Sequence, residues 1–180
     1  MPWKNGGGTT TEIFVAPENA GLSGQPFDWR ISIADVAGDG PFSLFPGYDR
    51  HIMVIEGRGM MLEGGPQGPI DLTPQFVPRS FSGDWAVSGR LVAGPVRDFN
   101  LMARRDRFAS RLEMHEAAPV LHLDAASAAL LLYILDGEVT ASGHVLAAGE
   151  TLILGPGESS IARPLAEPAR LVVCRITQRP

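Results

Sequence analysis

Glycine and proline interrupt this sequence so often that long helices have no room to form. The chain has 21 glycines and 15 prolines among its 180 residues, and the longest stretch free of both is 96–118. Neither residue recurs with a collagen-like or low-complexity period. Because 44% of the residues are hydrophobic, the chain can nevertheless bury a core. These features argue against coiled coils and helical bundles and favour a compact β protein.

Apolar and polar residues alternate with period two in several segments, as they do in half-buried strands. In 27–34 the odd positions are apolar, while Asp28, Arg30 and Ser32 share the other face. Alternation or a short apolar run also predicts strands at 9–15, 108–115, 130–135 and 171–176. The periodicity favours strand over helix within 96–118 as well. Short strands separated by Gly- and Pro-rich turns are typical of a sandwich or barrel.

A weak internal repeat divides the chain into two parts of similar size. Val54-Ile55-Glu56-Gly57 resembles Ile134-Leu135-Asp136-Gly137, and in both copies an apolar strand ends in an acid-Gly hairpin turn. A unit of about 80 residues is the size of a small jelly-roll barrel. We therefore predict an N-terminal lobe at 1–95 and a C-terminal lobe at 96–180.

Charge and cysteine content restrict the partners and the compartment. The net charge is −5 and the five arginines within 97–111 are interrupted by acids, which argues against a nucleic-acid partner. The single cysteine, Cys174, lies in an apolar run and is predicted to be a buried strand thiol. We recognise neither a signal peptide nor a membrane-spanning segment. The expected location is therefore cytoplasmic, without a membrane partner.

The histidines do not have the spacing of a metal site. No two of the four lie in a His-x-His pair. His51 and Glu56 are five residues apart, which places them on opposite faces of a regular strand. The corresponding hairpin of the second copy, 130–135, offers no ligand. Since zinc or iron needs about three convergent ligands, we expect neither a metal nor another cofactor.

The opening segment, residues 3–12, is the most distinctive in the chain. Its three consecutive glycines permit positive φ and close backbone approach. They do not match a P-loop or a dinucleotide fingerprint, because a strand rather than a helix follows them. A flexible terminus is the alternative, but Trp3 is too large and apolar for a loose tail. Lys4 is the only lysine in a chain with 14 arginines.

Four motifs in this order resemble the HutD/Ves family. They are Pro2-Trp3-Lys4-Asn5-Gly6-Gly7-Gly8-Thr9, Phe27-Asp28-Trp29-Arg30-Ile31-Ser32-Ile33-Ala34, Gly40-Pro41-Phe42-Ser43-Leu44-Phe45-Pro46-Gly47-Tyr48-Asp49-Arg50 and Asp98-Phe99-Asn100-Leu101-Met102. The last third of the chain resembles only a generic cupin barrel. The resemblance implies an all-β bicupin, with two jelly-roll-like β-barrel lobes in one chain and without the usual cupin metal. It also implies a small-molecule binder or regulator linked to bacterial histidine utilisation for HutD members, and to stress and cold responses for Ves members.

One departure from the family pattern concerns the N-terminus. Family members carry a short segment before Pro-Trp-Lys-Asn, whereas this sequence begins on that motif. We expect either that the native start lies further upstream or that the first lobe lacks its leading strand.

The polar residues of these motifs form the candidate ligand site. Arg30 and Ser32 lie on the same strand face, and a guanidinium with a hydroxyl beside it is suited to binding a carboxylate. Lys4 offers a second cation. An alternative for Arg30 is a salt bridge with Asp28, Asp49 or Glu12. The candidate ligand-binding residues are Trp3, Lys4, Asn5, Gly6, Gly7, Thr9, Arg30, Ser32, Arg50, His51 and Asn100. The expected ligand is a small anionic metabolite of the urocanate or formylated-glutamate type, and no catalytic residue is assigned.

Two other functions remain open from the sequence. One is a metal-independent isomerase or lyase acting on a small carboxylate or sugar derivative, with His51 beside Asp49 or Glu56, or Lys4, as the base. The other is an interaction role in which sheet edges of the two lobes form a homodimer.

Overall fold

The computed structural model describes residues 1–3, 6–18, 20, 26–116, 120–125, 128–166 and 169–180. The described residues form strands and no helix, so the predicted all-β class is confirmed, and none of them provides a helix able to cross a membrane. The strands are β1 (Gly8–Ala16), β2 (Trp29–Val36), β3 (Gly40–Pro41), β4 (Tyr48–Glu56), β5 (Met60–Glu63), β6 (Ile70–Asp71), β7 (Arg79–Ser82), β8 (Ser88–Leu91), β9 (Val96–Arg104), β10 (Phe108–Glu116), β11 (Leu121–Asp124), β12 (Ala129–Asp136), β13 (Glu138–Ala141), β14 (His144–Ala147), β15 (Thr151–Leu154), β16 (Ser159–Pro164) and β17 (Arg170–Gln178).

The chain divides into two compact units, unit 1 (Met1–Arg107) and unit 2 (Phe108–Pro180). Unit 1 contains a five-stranded sheet of order β1-β2-β9-β4-β7 and a four-stranded sheet of order β3-β8-β5-β6. Unit 2 contains two four-stranded sheets of order β10-β17-β12-β15 and β11-β16-β13-β14. Neighbouring strands are antiparallel in all of them.

The division between the units lies after Arg107, not after residue 95 where the sequence places it. The turn at Ala93-Gly94-Pro95 breaks the chain locally, but it does not end the first unit. Strand β9 follows this turn and pairs with β2 along one edge and with β4 along the other. Its pairing partners, which are distant in sequence, therefore determine the unit to which β9 belongs.

The two units repeat the same strand order. The order β2-β9-β4-β7 in unit 1 corresponds to β10-β17-β12-β15 in unit 2, and β3-β8-β5-β6 corresponds to β11-β16-β13-β14. Unit 1 has β1 as an additional edge strand. The repeat inferred from the two acid-Gly hairpins thus extends to the topology of the described strands.

The acid-Gly hairpins have the same local construction in both units. Gly57 and Gly137 have φ values of 94° and 82°, in the region that favours glycine. The register shifts just before each acid, and an arginine of the neighbouring strand lies close to the carboxylate. The contacts are Arg97 Nη1 to Glu56 Oε1 at 3.0 Å and Arg170 Nη1 to Asp136 Oδ2 at 3.8 Å.

Each unit has its own apolar cluster of buried side chains. In unit 1 the cluster includes Ile52, Val54, Met60 and Leu62, with Phe42 and Trp85 packed against it. In unit 2 it includes Leu123, Leu130, Leu132, Val139, Leu171 and Val173. Cys174 is a fully buried strand residue, as predicted, and burial raises the pKa of its thiol.

The hairpin glycine of unit 1 provides a test of this fold. A Cβ at Gly57 would lie 2.5 Å from the Pro95 carbonyl oxygen, in addition to the strain of its positive φ. We expect Gly57→Ala to lower the free energy of unfolding by about 1–3 kcal/mol, measured by chemical denaturation. Gly38→Ala is the control, because a Cβ there meets nothing within 4 Å. Equal stability of both variants and the wild type would contradict the assigned hairpin geometry.

Candidate functional site

Three adjacent strands of unit 1 direct polar side chains to one face of the sheet. Arg30 on β2 pairs with Met102 on β9, which pairs with Arg50 on β4. Two residues further along, Ser32 pairs with Asn100. Side chains alternate between faces along a strand, so these residues share one face with Asp98. The sequence predicted this shared face for Arg30 and Ser32.

This face lines a cavity of about 530 Å³, which we call the unit 1 cavity. Its walls combine apolar side chains with the polar residues of β2, β4 and β9. The lining residues are Met1, Pro2, Trp3, Thr10, Arg30, Ser32, Ala34, Pro41, Phe42, Ser43, Phe45, Arg50, Asp98, Asn100 and Met102. Apolar walls with a few polar groups are typical of small-molecule sites.

Arg50 is the central cation of the unit 1 cavity. Its side chain is buried, and it donates from Nη1 to the Ser43 carbonyl at 3.3 Å and from Nη2 to Asn100 Oδ1 at 3.2 Å. Three aromatic rings surround the guanidinium, with centroid distances of 4.9–5.5 Å for Phe42, Phe45 and Phe81. Burial lowers the pKa of Arg50 to about 10, so the side chain is still a cation at neutral pH.

Asn100 connects this cation to a buried acid. Its Oδ1 accepts from Arg50, and its Nδ2 donates to Asp98 Oδ1. Asp98 is fully buried, and burial raises the pKa of its carboxyl group to about 7, although Arg50 and the Asn100 hydrogen bond oppose that shift. Three buried atoms of the cavity lining, Arg50 Nε, Asp98 Oδ2 and Arg30 Nε, have no hydrogen-bond partner among the described residues.

The other arginine of the cavity already has an acidic partner. Arg30 Nε lies 2.9 Å from Glu12 Oε2, and β1 brings Glu12 to this position by pairing it with Ser32. This contact is one of the salt bridges considered for Arg30 from the sequence. Within the part of the chain that the structure describes, Arg50 makes no such ion pair. The charge of Arg30 is therefore neutralised by a carboxylate, whereas that of Arg50 is not.

Residues 1–3 contact β1 and line one side of the cavity. The Trp3 amide donates to the Gly8 carbonyl at 2.9 Å, and Trp3 Nε1 donates to Thr10 Oγ1 at 2.8 Å. The Trp3 ring also meets Phe42 edge-on, with the centroids 6.3 Å apart. A Cβ at Gly8 would lie 2.3 Å from the Asp35 carbonyl oxygen, which explains a glycine at this position.

The remaining sequence candidates are placed differently. Lys4 and Asn5 lie outside the described residues. Gly6 and Gly7 belong to the turn before β1, where the Gly6 amide donates to the Trp3 carbonyl and the Gly7 carbonyl accepts from Ala37. These two glycines are not part of the cavity lining.

Thr9 and His51 lie on the opposite strand faces from the cavity residues. Thr9 Oγ1 donates to Asp35 Oδ2 at 3.3 Å, and its neighbour Thr10 lines the cavity instead. His51 Nδ1 lies 2.7 Å from Ser80 Oγ. The acids considered as its partners contact arginines, Asp49 with Arg105 at 2.6 Å and Glu56 with Arg97 at 3.0 Å.

Ten of the lining residues are absent from the site predicted from the sequence, and they include Asp98, Thr10 and Met102. Asp98 and Met102 stand two positions before and after Asn100, so the period-two rule identifies both once Asn100 is chosen. The sequence does not show which of Thr9 and Thr10 faces the cavity, because this depends on the pairing of β1 with Ala34 and Asp35. Phe42 and Phe45 belong to the 40–50 motif, of which the site predicted from the sequence includes only Arg50.

Unit 2 has apolar residues at the positions that correspond to Arg50, Asp98 and Asn100. Leu130 precedes Asp136 by the same spacing as Arg50 precedes Glu56. Leu171 and Val173 follow Arg170 as Asp98 and Asn100 follow Arg97. All three apolar residues are buried in the unit 2 cluster. The Arg–Asn–Asp chain is therefore a feature of unit 1 alone among these paired positions.

The described residues include no group of three or more His, Cys, Asp or Glu side chains arranged to hold a metal ion. The expectation that the protein uses no metal stays a prediction from the sequence.

Comparison with protein families and curated proteins gives one consistent result. The model of the HutD family matches residues 1–173. A Pseudomonas putida relative, described as an uncharacterized 21.2 kDa protein in the hutC 3' region, is 42% identical over 146 residues, which cover 80% of this chain and 74% of the relative. Protein Ves from Citrobacter koseri is 41% identical over 113 residues, covering 62% of this chain and 56% of that protein.

Solved structures agree with this result. HutD from Pseudomonas fluorescens SBW25, in its formate condition, matches with a TM-score of 0.84 and 37% identity, over 100% of this chain and 94% of that one. A cupin 2 conserved barrel domain protein from Leptotrichia buccalis matches with a TM-score of 0.56 and 12% identity, over 94% of this chain and 89% of that one. The second match concerns the fold alone, which is that of cupin barrels.

The buried acid predicts how stability depends on pH. Because the Asp98 pKa is higher in the folded chain (about 7) than the usual value of 3.8, the folded state binds a proton more tightly than the unfolded state. The protonated Asp98 therefore contributes to the free energy of unfolding. This contribution is present in full below pH 4 and is lost as the pH rises from 4 to 7, by at most about 1.4 kcal/mol per pH unit.

Asp98→Asn removes this titration while keeping a polar side chain of the same shape. We expect the variant to be more stable than the wild type at pH 8, with a smaller fall in stability between pH 4 and 7. Urea denaturation at several pH values measures both quantities. Parallel pH profiles for the two proteins would show that Asp98 does not titrate as assigned.

Proposed function

Since this chain belongs to the HutD family, we propose that it binds a small anionic metabolite in the unit 1 cavity and acts as a regulator linked to histidine utilisation, without catalysing a reaction. The single observation that carries the proposal is Arg50, a buried cation whose Nε has no partner among the described residues. The expected ligand is a carboxylate of the urocanate or formylated-glutamate type.

The electrostatics of Arg50 support an anionic ligand. A buried charge is costly unless it is paired and hydrogen-bonded, and the described contacts of Arg50 are with a carbonyl, an amide oxygen and aromatic rings. A carboxylate would accept hydrogen bonds from the guanidinium and neutralise its charge in a site of low dielectric constant. Arg30 is less suited to this role because Glu12 already neutralises it.

The dimensions and walls of the cavity support a small, partly apolar molecule. Its volume of about 530 Å³ falls within the ~300–1,000 Å³ range of small-molecule sites. Trp3, Phe42 and Phe45 offer flat apolar surfaces. A planar conjugated acid such as urocanate would place its carboxylate at Arg50 and its ring against these side chains.

The link to histidine utilisation is supported by names of relatives. The P. putida relative is described by its position in the hutC 3' region, and a solved relative carries the name HutD. The non-enzymatic part of the proposal is supported by the placement of His51, one of the two candidate bases, since its side chain lies on the opposite strand face from Arg50 and outside the cavity lining. The acids beside it in sequence contact Arg105 and Arg97. The other candidate, Lys4, lies outside the described residues.

Calorimetric titration with urocanate and with formylglutamate tests the proposal. We expect wild-type protein to bind at least one of them and Arg50→Met to bind it about 10- to 150-fold more weakly, the equivalent of about 1.5–3 kcal/mol for a hydrogen bond to a charged group. Arg50→Lys keeps a cation without the planar fork, so its affinity should lie between those of the wild type and Arg50→Met.

Arg90→Met is the matched control, because Arg90 is exposed in the same unit and pairs with Glu63 at 3.1 Å. This variant should bind as the wild type does. The absence of binding heat with both compounds at millimolar concentration, or equal affinity of Arg50→Met and wild type, would overturn the proposal. Circular dichroism spectra of each variant separate lost binding from lost folding.

A further inference from the structure

Arg50 and Asp98 are opposite charges in the lining of the unit 1 cavity that do not contact each other directly. Asn100 stands between them, accepting from Arg50 and donating to Asp98, and the two groups make no direct salt bridge within the described residues. Asp98 Oδ2 and Arg50 Nε are both buried without a hydrogen-bond partner among those residues. The proposed ligand would therefore use the same cation that compensates the charge of Asp98.

Arg50 is the cation that acts on Asp98, whereas the terminal ammonium of Met1, which also lines the cavity, donates to the Thr10 carbonyl. On β2, Arg30 is neutralised by Glu12 of β1, and the neighbouring acid Asp35 contacts Arg97 of β9. Arg97 itself is shared with Glu56 of β4. From the other sheet of unit 1, the cavity receives Pro41 of β3 and then Phe42, Ser43 and Phe45, none of which titrates. Lys4 lies outside the described residues.

A bound anion changes how far Arg50 compensates the negative charge of Asp98. Once the ligand carboxylate pairs with Arg50, a charged Asp98 would face a second negative charge in the same cavity. Two carboxylates that share one site cannot both remain charged at low cost, and the group in the more buried position takes a proton. Asp98 is that group, because it is fully buried while the ligand enters from the cavity.

We propose that Asp98 couples the binding of an anion in the unit 1 cavity to the uptake of one proton. This inference rests on the proposed function and names its regulation: the protein holds the ligand anion together with a neutral Asp98. Where Asp98 is charged before binding, the proton comes from solvent and binds a carboxylate oxygen of Asp98, so a binding event there removes one anion and one proton from solution.

The coupling sets the direction of the pH dependence. In the free protein the Asp98 pKa is already about 7, through burial, and the bound anion raises it further. Below pH 7 Asp98 is mostly neutral before binding, so affinity there is high and nearly constant. Above pH 7 a proton must be taken up, and affinity falls by up to about tenfold per pH unit until the pKa of the complex is reached.

Titration calorimetry with formylglutamate measures this coupling. Its carboxyl groups titrate well below pH 6, so any proton taken up at pH 8 binds to the protein. We expect wild-type protein to give heats that depend on the ionisation enthalpy of the buffer, with HEPES and Tris as the pair, corresponding to nearly one proton per ligand at pH 8. Urocanate serves as the second probe.

The Asp98→Asn variant tests whether Asp98 is the group that takes up the proton, because asparagine imitates the neutral acid. We expect this variant to show no proton uptake, no change in affinity between pH 6 and 9, and tighter binding than wild type at pH 8. Glu63→Gln is the control, because Glu63 is an exposed acid of the same unit that pairs with Arg90 outside the cavity lining, and it should retain the wild-type dependence on pH.

The outcomes separate the two proposals. Lack of binding by the wild type at every pH overturns the proposed function and the coupling with it. Binding that is equally tight at pH 6 and pH 8, with heats independent of the buffer, overturns the coupling and leaves the proposed function standing. Uptake that persists in Asp98→Asn overturns the assignment to Asp98. The wild-type measurements decide the coupling by themselves if that variant does not fold.

Discussion

The pairing of β9 with β2 and β4 is the constraint on which the rest of unit 1 depends. It aligns Arg30 with Met102 and Arg50, and Ser32 with Asn100, across three strands that come from separate parts of the chain. Without this register the polar side chains would not share one face, because a shift by one residue turns every side chain to the other side of the sheet. The cavity and the Arg50–Asn100–Asp98 chain are consequences of that alignment.

The two units use one topology for different purposes. Unit 2 has Leu130, Leu171 and Val173 at the positions of Arg50, Asp98 and Asn100, and these side chains fill its core. Unit 1 instead buries a cation and an acid, which costs stability unless partners compensate them. Polar groups at positions where the related unit is apolar indicate selection for a site rather than for packing.

Much of the fold could be predicted from residue patterns. Period-two alternation indicated the strands, including those within 96–118, and the two acid-Gly hairpins indicated a repeat that the topology of both units contains. The boundary between the units could not be found in this way, because the turn at 93–95 is a local signal. The assignment of β9 depends on hydrogen bonds to strands that lie dozens of residues earlier.

For the site, the sequence by itself determined the residue types and the strand face shared by Arg30 and Ser32, because side-chain direction along a strand follows from a local period. The four motifs also indicated the family to which the chain belongs. Only the tertiary structure decided that Thr10 rather than Thr9 lines the cavity, that Glu12 neutralises Arg30, and that Asn100 links Arg50 to the buried Asp98. These properties depend on register and burial, which arise from contacts between distant segments and leave no local signal in the chain.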